Sequence, residues 1–470
     1  MKRLILLCVV IITTIIVVQC FLSESKAGIF TECSPCDEAI SDPCEPICSV
    51  KKSNWFVNGY LETGFWANEY GQKNVYSPKL PGYSHNNVQY GNGVVNQIPL
   101  AGVPTIPNPL QNVKNTGVQL NQLYISLGKS VDGRNGWDLG GTVDFVFGTD
   151  AFVVQTFGLE QSTGHGPDSW GTGDYYAAFA QAYFEAAYKK WNIKAGKFYT
   201  PFGSQSFKST ESFFYSFADT DIFVPTTAGG AYATYTVNSH WSVYGGWIQP
   251  DMIGESSEVN AFLGGIIWQL TKKLNFHYAV ALGKDQRAVP NSLNVNDINF
   301  FAQSLVATYQ INKKWKYIFD WSLYNDKNTY HDYDPTNNGD VLDRNMLYGI
   351  NNELIYRFNT KWAFGVRAGW GHMGRSYYDT DPVPPYNGFF YQVGGGNKYT
   401  FSIAANWTPT KWLTVKPELR YDKYEKGYKD GSEYPGDQLP WGPAVFPINA
   451  FDRQSKDDQL SGGISTIVKY

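Results

Sequence analysis

The sequence predicts an all-β chain, a transmembrane antiparallel up-and-down β-barrel of about sixteen strands. Three observations carry this. Apolar and polar residues alternate with period two along most of the chain after Trp55. Short Lys-bearing turns alternate with much longer polar connections. The 470 residues include 33 Tyr, 29 Phe and 15 Trp, yet only 17% are charged and mean hydropathy is −0.33. Lipid-facing and water-facing residues of one strand cancel in a window average, so a barrel is aromatic-rich without being hydropathic. Beyond the N-terminus no run reaches the ~20 apolar residues a membrane-crossing helix needs. A net charge of −4 and a pI near 5.9 offer nucleic acid no basic surface.

The first element is a targeting signal over residues 1–27. Met1-Lys2-Arg3 is its positive start, Leu4 to Val18 its apolar stretch, and Ser25-Lys26-Ala27 its small-x-small cleavage site. A helical anchor is the competing reading, but the apolar run is short and polar residues follow at once. Lipidation at Cys20 wants a small residue before it, and Gln19 stands there.

Residues 28–54 form a Cys-rich segment expected in the periplasm. Cys33, Cys36, Cys44 and Cys48 crowd into a Pro- and acid-rich stretch, while Cys8 and Cys20 fall within the signal. An exported chain meets an oxidising compartment, so two disulfides are expected. Cys-x2-Cys followed by Cys-x3-Cys also supplies four thiolates for tetrahedral zinc, the competing expectation.

Residues 55–470 are the barrel domain. Its strands are expected to begin near Trp55, Val118, Trp137, Tyr176, Trp191, Gly229, Trp241, Asn260, Leu274, Phe300, Trp315, Met346, Trp362, Lys398, Trp412 and Gln459. The clearest is 362–371, where Trp362, Phe364, Val366, Ala368 and Trp370 share a face opposite Ala363, Gly365, Arg367 and Gly369. Tyr317, Phe319, Trp321 and Leu323 share a face in the same way, as do Tyr399, Phe401, Ile403 and Trp407. A soluble sandwich strand alternates too. The aromatic residue at each end is what points to lipid, because Trp and Tyr settle at membrane interfaces.

The connections give a second, independent signal. Lys189-Lys190-Trp191, Asn238-Ser239-His240-Trp241, Asn312-Lys313-Lys314-Trp315, Asn359-Thr360-Lys361-Trp362 and Thr410-Lys411-Trp412 each place a hydrophilic turn before Trp. Long loops are expected over 68–116, 148–174, 200–228, 326–345, 372–397 and 422–458. Short periplasmic turns at one rim and long extracellular loops at the other are the asymmetry of outer-membrane barrels. The last strand ends on Tyr470, a terminal aromatic expected to serve as the signal for the barrel-assembly machinery.

Local motifs then become specific. Asn121-Gln122-Leu123-Tyr124 is followed by 140–151 (GGTVDFVFGTDA), by 195–203 (AGKFYTPFG) and by Ser212-Phe213-Phe214-Tyr215-Ser216. This series resembles the OmpL-like β-barrel porins from about Trp55 to Tyr470. The resemblance implies an outer-membrane location and a passive channel, and leaves the substrate unassigned; small polar solutes, no cofactor and no enzymatic activity are the expectation read from the residues.

For such a channel, sixteen strands leave an aqueous passage unless a loop folds in. The expected candidate is the loop over 200–228, whose Phe213, Phe214, Tyr215, Phe217 and Phe223 are too apolar for free solvation. Its Glu211, Asp219 and Asp221 are expected to face water. The opposite wall should carry Arg357, Arg367, Lys416, Glu418 and Arg420, with Asp144 and Glu185 as solvated lumen groups. Porins of this size are often trimers, so a homotrimer with the loop buried against a neighbouring subunit is the rival reading. An adhesin or structural outer-membrane barrel competes with the channel itself, and a barrel hydrolase does so more remotely. The six His form no metal-ligand pair on one strand, and no Gly-x-Ser-x-Gly motif is present. Asp150 and Asp168 match no Ca²⁺-loop spacing.

If Cys33, Cys36, Cys44 and Cys48 form two disulfides, mass spectrometry of the intact mature protein finds no free thiol until reduction. Four thiols released by a chelator instead would establish zinc.

Overall fold

A computed structural model describes residues 54–68, 89–90, 93–94, 117–156, 158–160, 170–172, 175–222, 224–250, 259–285, 295–330, 341–373, 376–380, 389–393, 396–426 and 458–470. The Cys segment, the signal, Asp168 and Phe223 lie outside the described residues.

Alternation becomes sixteen wall strands. They are β1 Trp55–Asn68, β2 Gly117–Lys129, β3 Trp137–Gly148, β4 Tyr175–Tyr188, β5 Trp191–Tyr199 and β6 Thr227–Thr236. Then come β7 Trp241–Pro250, β8 Val259–Thr271, β9 Leu274–Asp285, β10 Val295–Gln310 and β11 Trp315–Tyr330. The last five are β12 Val341–Arg357, β13 Trp362–Met373, β14 Gly396–Thr410, β15 Leu413–Lys426 and β16 Asp458–Lys469. Each pairs antiparallel with its neighbours in sequence. β1 closes the ring, with Tyr60 opposite Tyr124 of β2 on one side and Lys469 of β16 on the other. Closure leaves no sheet edge in the hydrocarbon, where an unpaired N–H or C=O has no water to turn to.

The burial pattern is inverted relative to a soluble protein. On β13, Phe364 and Val366 are 44% and 41% exposed while Arg367 is 1% exposed. Outward positions are apolar and inward ones charged, as a wall between lipid and lumen requires. At the short-turn rim the aromatics pair into a girdle, with Trp191 on Tyr235 at 4.7 Å, Trp241 on Trp268 at 4.8 Å and Trp315 on Tyr356 at 4.5 Å.

The recurring Asn-x-x-Trp turns have a common mechanism. The Asn312 side-chain oxygen accepts from Lys314 N (2.9 Å) and Trp315 N (3.1 Å), and Asn359 does the same for Lys361 and Trp362, both at 2.8 Å. The side chain replaces a backbone turn bond and delivers Trp to the start of the strand. In the two-residue Lys189-Lys190 turn, Lys189 takes a φ of 52°, a left-handed conformation usual for such tight hairpins.

The structure adds three features to the expected pattern. β10 to β12 run 16, 16 and 17 residues, so β10 and β12 begin five residues before the expected Phe300 and Met346. Their ladders continue past the ~10 residues that cross a bilayer. In β2 a bulge breaks the alternation, so that Asn121 and Gln122 are both fully buried. β4 and β5 part above the Ala182–Lys197 pair. There the upper edge of β4 is completed by Gly171–Thr172, which pairs with Tyr175 and Tyr176, and by Trp170 O, which accepts from Ala177 N (2.7 Å). Side chains complete the rest, with Gln155 Nε2 donating to Ala177 O (2.9 Å) and Glu160 accepting from Phe179 N (3.0 Å). Lys197 Nζ binds both Glu160 oxygens at 2.8 and 2.9 Å, and both side chains are fully buried.

Tyr470 finishes the ring. Its N–H donates to Gly59 O (3.0 Å), its C=O accepts from Gly59 N (3.3 Å), and its hydroxyl reaches Tyr124 O (3.2 Å). The ring lies over Gly59, where a Cβ would collide with it. Deleting Tyr470 removes three hydrogen bonds worth about 1 kcal/mol each. Both that deletion and Gly59→Val should lower the temperature at which heat-modifiable gel mobility is lost. A deletion variant with unchanged thermal midpoint would count against this closing role.

Candidate functional site

The loop over 200–226 leaves β5 and folds into the barrel. Its two ends are tied where Thr200 N donates to Thr226 O (3.1 Å) and the Thr200 hydroxyl donates to Pro225 O. Pro201 and Gly203 turn the chain inward. Gly203 has φ +74°, and a Cβ there would collide with Asp221 Oδ1, so this turn needs glycine.

From that turn the loop docks on both sides of the bore. On the β10–β12 side, Gly203 N donates to Ser304 Oγ (3.2 Å), Ser204 N to Asp320 Oδ2 (2.8 Å) and Gln205 Nε2 to Glu353 Oε1 (3.2 Å). On the β1–β3 side, Gln122 donates to Phe207 O (3.1 Å), Ser209 N donates to the Tyr60 hydroxyl (3.2 Å), and the Ser209 hydroxyl donates to Glu62. Lys208 Nζ lies 3.0 Å from Asp144 Oδ2.

The third anchorage, on β13–β15, is ionic. Glu418 Oε2 accepts from Tyr215 N (2.8 Å) and Ser216 N (2.9 Å), and Arg367 binds Glu418 (3.1 Å) and Ser216 O (2.8 Å). Lys416 Nζ donates to Ser209 O and Ser212 O, both at 2.5 Å. In the helical turn α1 (Asp219–Ile222), Asp219 pairs with Lys398 at 2.6 Å and Arg420 at 3.2 Å, and Thr400 donates to it at 2.6 Å. Arg420 also holds Asp422 at 2.8 Å. Burial alone would raise the Asp219 carboxyl, but Lys398 and then Arg420 outweigh it and hold the group below its ordinary value.

The aromatic stretch packs between these anchors. Arg367 lies 4.5 Å over the Phe214 ring, Tyr215 meets Trp66 edge-on at 5.6 Å, and Phe213 fills the place that a side chain on Gly365 would take.

Several expected placements change. Asp219 does not face water; it is the buried centre of an ion-pair network, because Lys398 and Arg420 are within reach and no solvent is. Asp221 is half-buried and only Glu211 is exposed. Arg367, Lys416, Glu418 and Arg420 are not separated from the loop by a bore but bonded directly to it. Arg357 is exposed at the short-turn rim, where its N–H caps Lys314 O, because it ends β12. Asp144 is fully buried rather than solvated, accepting from Tyr124 (2.6 Å) and Gln181 (2.7 Å). Glu185 stands apart from it, bound to Asn192 at 2.7 Å.

Lys398, Asp320, Glu353, Glu62 and Lys208 complete the dock, and no sequence motif marks them. Strand parity could have found Lys398 and Asp320, each on the face opposite an aromatic row.

A family model described as "Putative beta-barrel porin-2, OmpL-like" matches residues 57–469. The chain belongs to this porin family. The protein is an outer-membrane porin, a β-barrel channel. No curated protein matches the chain in sequence. Among solved structures, an anion-selective porin from Comamonas acidovorans is similar at 10% identity, with 89% of this chain and 100% of that chain covered and a TM-score of 0.51. The outer-membrane channel DcaP of Acinetobacter baumannii is also similar, at 10% identity, 90% and 99% coverage and a TM-score of 0.48. OmpT of Vibrio cholerae, in its trimer form, gives 10%, 88%, 99% and 0.47. At this identity the likeness to the Comamonas porin is one of fold.

Glu418→Ala would leave the buried Arg367 and two loop N–H groups without their acceptor, a loss of about 3–5 kcal/mol. The porin should then expose its loop to protease while the wall stays intact, and Glu418→Gln should do so less. Equal protease resistance in Glu418→Ala and wild type would show that this pair does not hold the loop.

Proposed function

We propose that this porin is a non-enzymatic diffusion channel whose passage is set by the loop over 200–226. The observation that carries the reading is that one loop hydrogen-bonds to inward residues of β1, β2, β10 to β12 and β13 to β15 at once. A segment tied across the lumen from both sides narrows it for every solute that passes. The buried ionic groups support the same role, since Arg367, Arg420, Lys398, Glu418 and Asp219 are spent on holding the loop. Charge selectivity then falls to groups that keep water access, Glu211 on the loop and the partly exposed Lys208.

The proposal includes a cleaved signal over 1–27, a periplasmic Cys segment over 28–54, Tyr470 as the assembly signal, and a homotrimer. The outer wall of β11–β15 offers such an assembly an apolar hollow of about 840 Å³, lined by Trp315, Leu354, Phe364, Val366, Ile403 and Leu419.

Planar-bilayer recording tests the reading. The purified porin should give steady conductance steps, arriving in threes if it inserts as a trimer. Deleting residues 213–217 should enlarge each step. Glu211→Lys should move the reversal potential toward anions, and the shift should shrink at 1 M salt, where the Debye length is ~3 Å. Asp219→Lys should instead raise conductance, because it unfastens the loop. Unchanged conductance in both the deletion and Asp219→Lys would place the loop outside the conduction path.

A further inference from the structure

The loop is fastened by two unlike chemistries. On the β13–β15 side the three acids of the dock each have a cation: Glu418 has Arg367, while Asp219 and Asp422 have Lys398 and Arg420. On the β10–β12 side three carboxylates gather whose hydrogen-bond donors are all neutral, although Arg367 stands opposite Glu353 in the β12–β13 ladder. Asp320 accepts from Ser204 N (2.8 Å), Thr220 Oγ1 (3.3 Å) and Ser322 Oγ (3.2 Å). Glu353 accepts from Gln205 Nε2 (3.2 Å) and Asn351 Nδ2 (3.3 Å). Asp221 Oδ1 accepts a long bond from Gln205 N (3.4 Å), while its Oδ2 is closed off from water and has no hydrogen-bond partner among the described residues. Two of them converge on one backbone turn, since a Cβ on Gly203 would strike Asp221 Oδ1 and lie 3.9 Å from Asp320 Oδ2, and Glu353 joins them through Gln205.

We propose that Asp221, Asp320 and Glu353 form a proton-operated latch, which fastens the loop to β10–β12 when protonated and frees that side when it ionises. The inference rests on the loop being the constriction. Carboxylates gathered round one turn, with Asp320 and Glu353 buried and Asp221 Oδ2 shielded, repel one another when charged, and a proton relieves that repulsion.

The surroundings of Asp221 support that sign. α1 packs against β11, β12 and β13, which present Asp320, Glu353 and Arg367 respectively, and Asp219 sits within the turn itself. The Arg367 guanidinium is turned to Glu418 and Ser216. Burial first, then Asp320 and Glu353, pushes the Asp221 carboxyl well above the ordinary carboxylate range. A group raised in the docked state favours docking in acid, and that contribution is lost as pH rises through the raised value. On the β13–β15 side Lys398 and then Arg420 hold the Asp219 carboxyl below its ordinary value, so the loop stays tethered there. Release moves the 203–205 arm, which turns on Gly203.

The test is single-channel conductance of the full mature porin at about 1 M KCl, where screening suppresses surface-charge effects on ion supply. Between about pH 5 and about pH 9, wild-type conductance should rise about twofold or more. Asp221→Asn and Glu353→Gln, on different elements, should hold the low value throughout, with folding confirmed by heat-modifiable mobility. Asp150 is the control. It is a second buried acid near β1–β3, pushed up to about 8 by burial and then by Glu62, so Asp150→Asn should retain the response. A flat wild-type profile, a response that survives in both latch variants, or one lost in Asp150→Asn would overturn the latch. Deleting residues 205–221 separates the two levels of the proposal. A large conductance indifferent to pH supports both, whereas an unchanged one removes the constriction reading itself. Enlargement after deletion beside a flat wild-type profile removes the latch alone.

Discussion

Hydrocarbon offers no hydrogen bond, and every other feature of this porin follows from how the backbone answers that. Fifteen neighbouring pairs satisfy it with ladder bonds, and β1 satisfies it by pairing with both β2 and β16. Where β4 and β5 part, the same requirement is met partly by side chains. Gln155 and Glu160 continue the edge that residues 170–172 begin, and Lys197 neutralises the carboxylate that this puts in the wall. A fully buried Lys–Glu pair is a weak source of stability. Its value here is that an unsatisfied β4 edge would cost more.

A closed wall creates an inside, and period-two alternation fills that inside with polar groups. Left to itself such an interior is a water-filled bore. Here the loop over 200–226 replaces much of that water, so each charge it covers needs a protein partner. Arg367, Arg420 and Lys398 find acids on the loop or on β15. Glu62 finds the Ser209 and Ser465 hydroxyls. The small inward residues Ala279, Ala281 and Ala302 make room on the other side for Phe202 and Val224. The docked loop is thus a second core, polar on one flank and apolar on the other, built inside a molecule whose first hydrophobic surface faces lipid.

Much of the wall was legible because its code is local. Trp362, Phe364 and Val366 declare lipid and Arg367 declares lumen within six residues, whatever the rest of the chain does. The Asn-x-x-Trp turns are equally local, since Asn312 needs only the next three residues to form its bonds. Misreadings arose where geometry is not local. Arg357 shares inward parity with Glu353, and parity alone says nothing of height; the turn at Asn359 puts it at the rim. Asn121 and Gln122 both turn inward only because of a bulge. Asp219 reads as a solvated loop acid until Lys398 is found beside it, 179 positions away.

By itself the sequence determined the barrel class, the strand count, the neighbour order, which face of each strand meets lipid, and which loop is too apolar to stay outside. These follow from side-chain period and turn chemistry, which act over a few residues. The tertiary structure alone decided where the loop crosses, which charges it consumes and which carboxylates are held by neutral hydrogen-bond donors. Those depend on closure, which brings Ser216 and Glu418 together across 202 positions and removes the water that would otherwise have solvated them both.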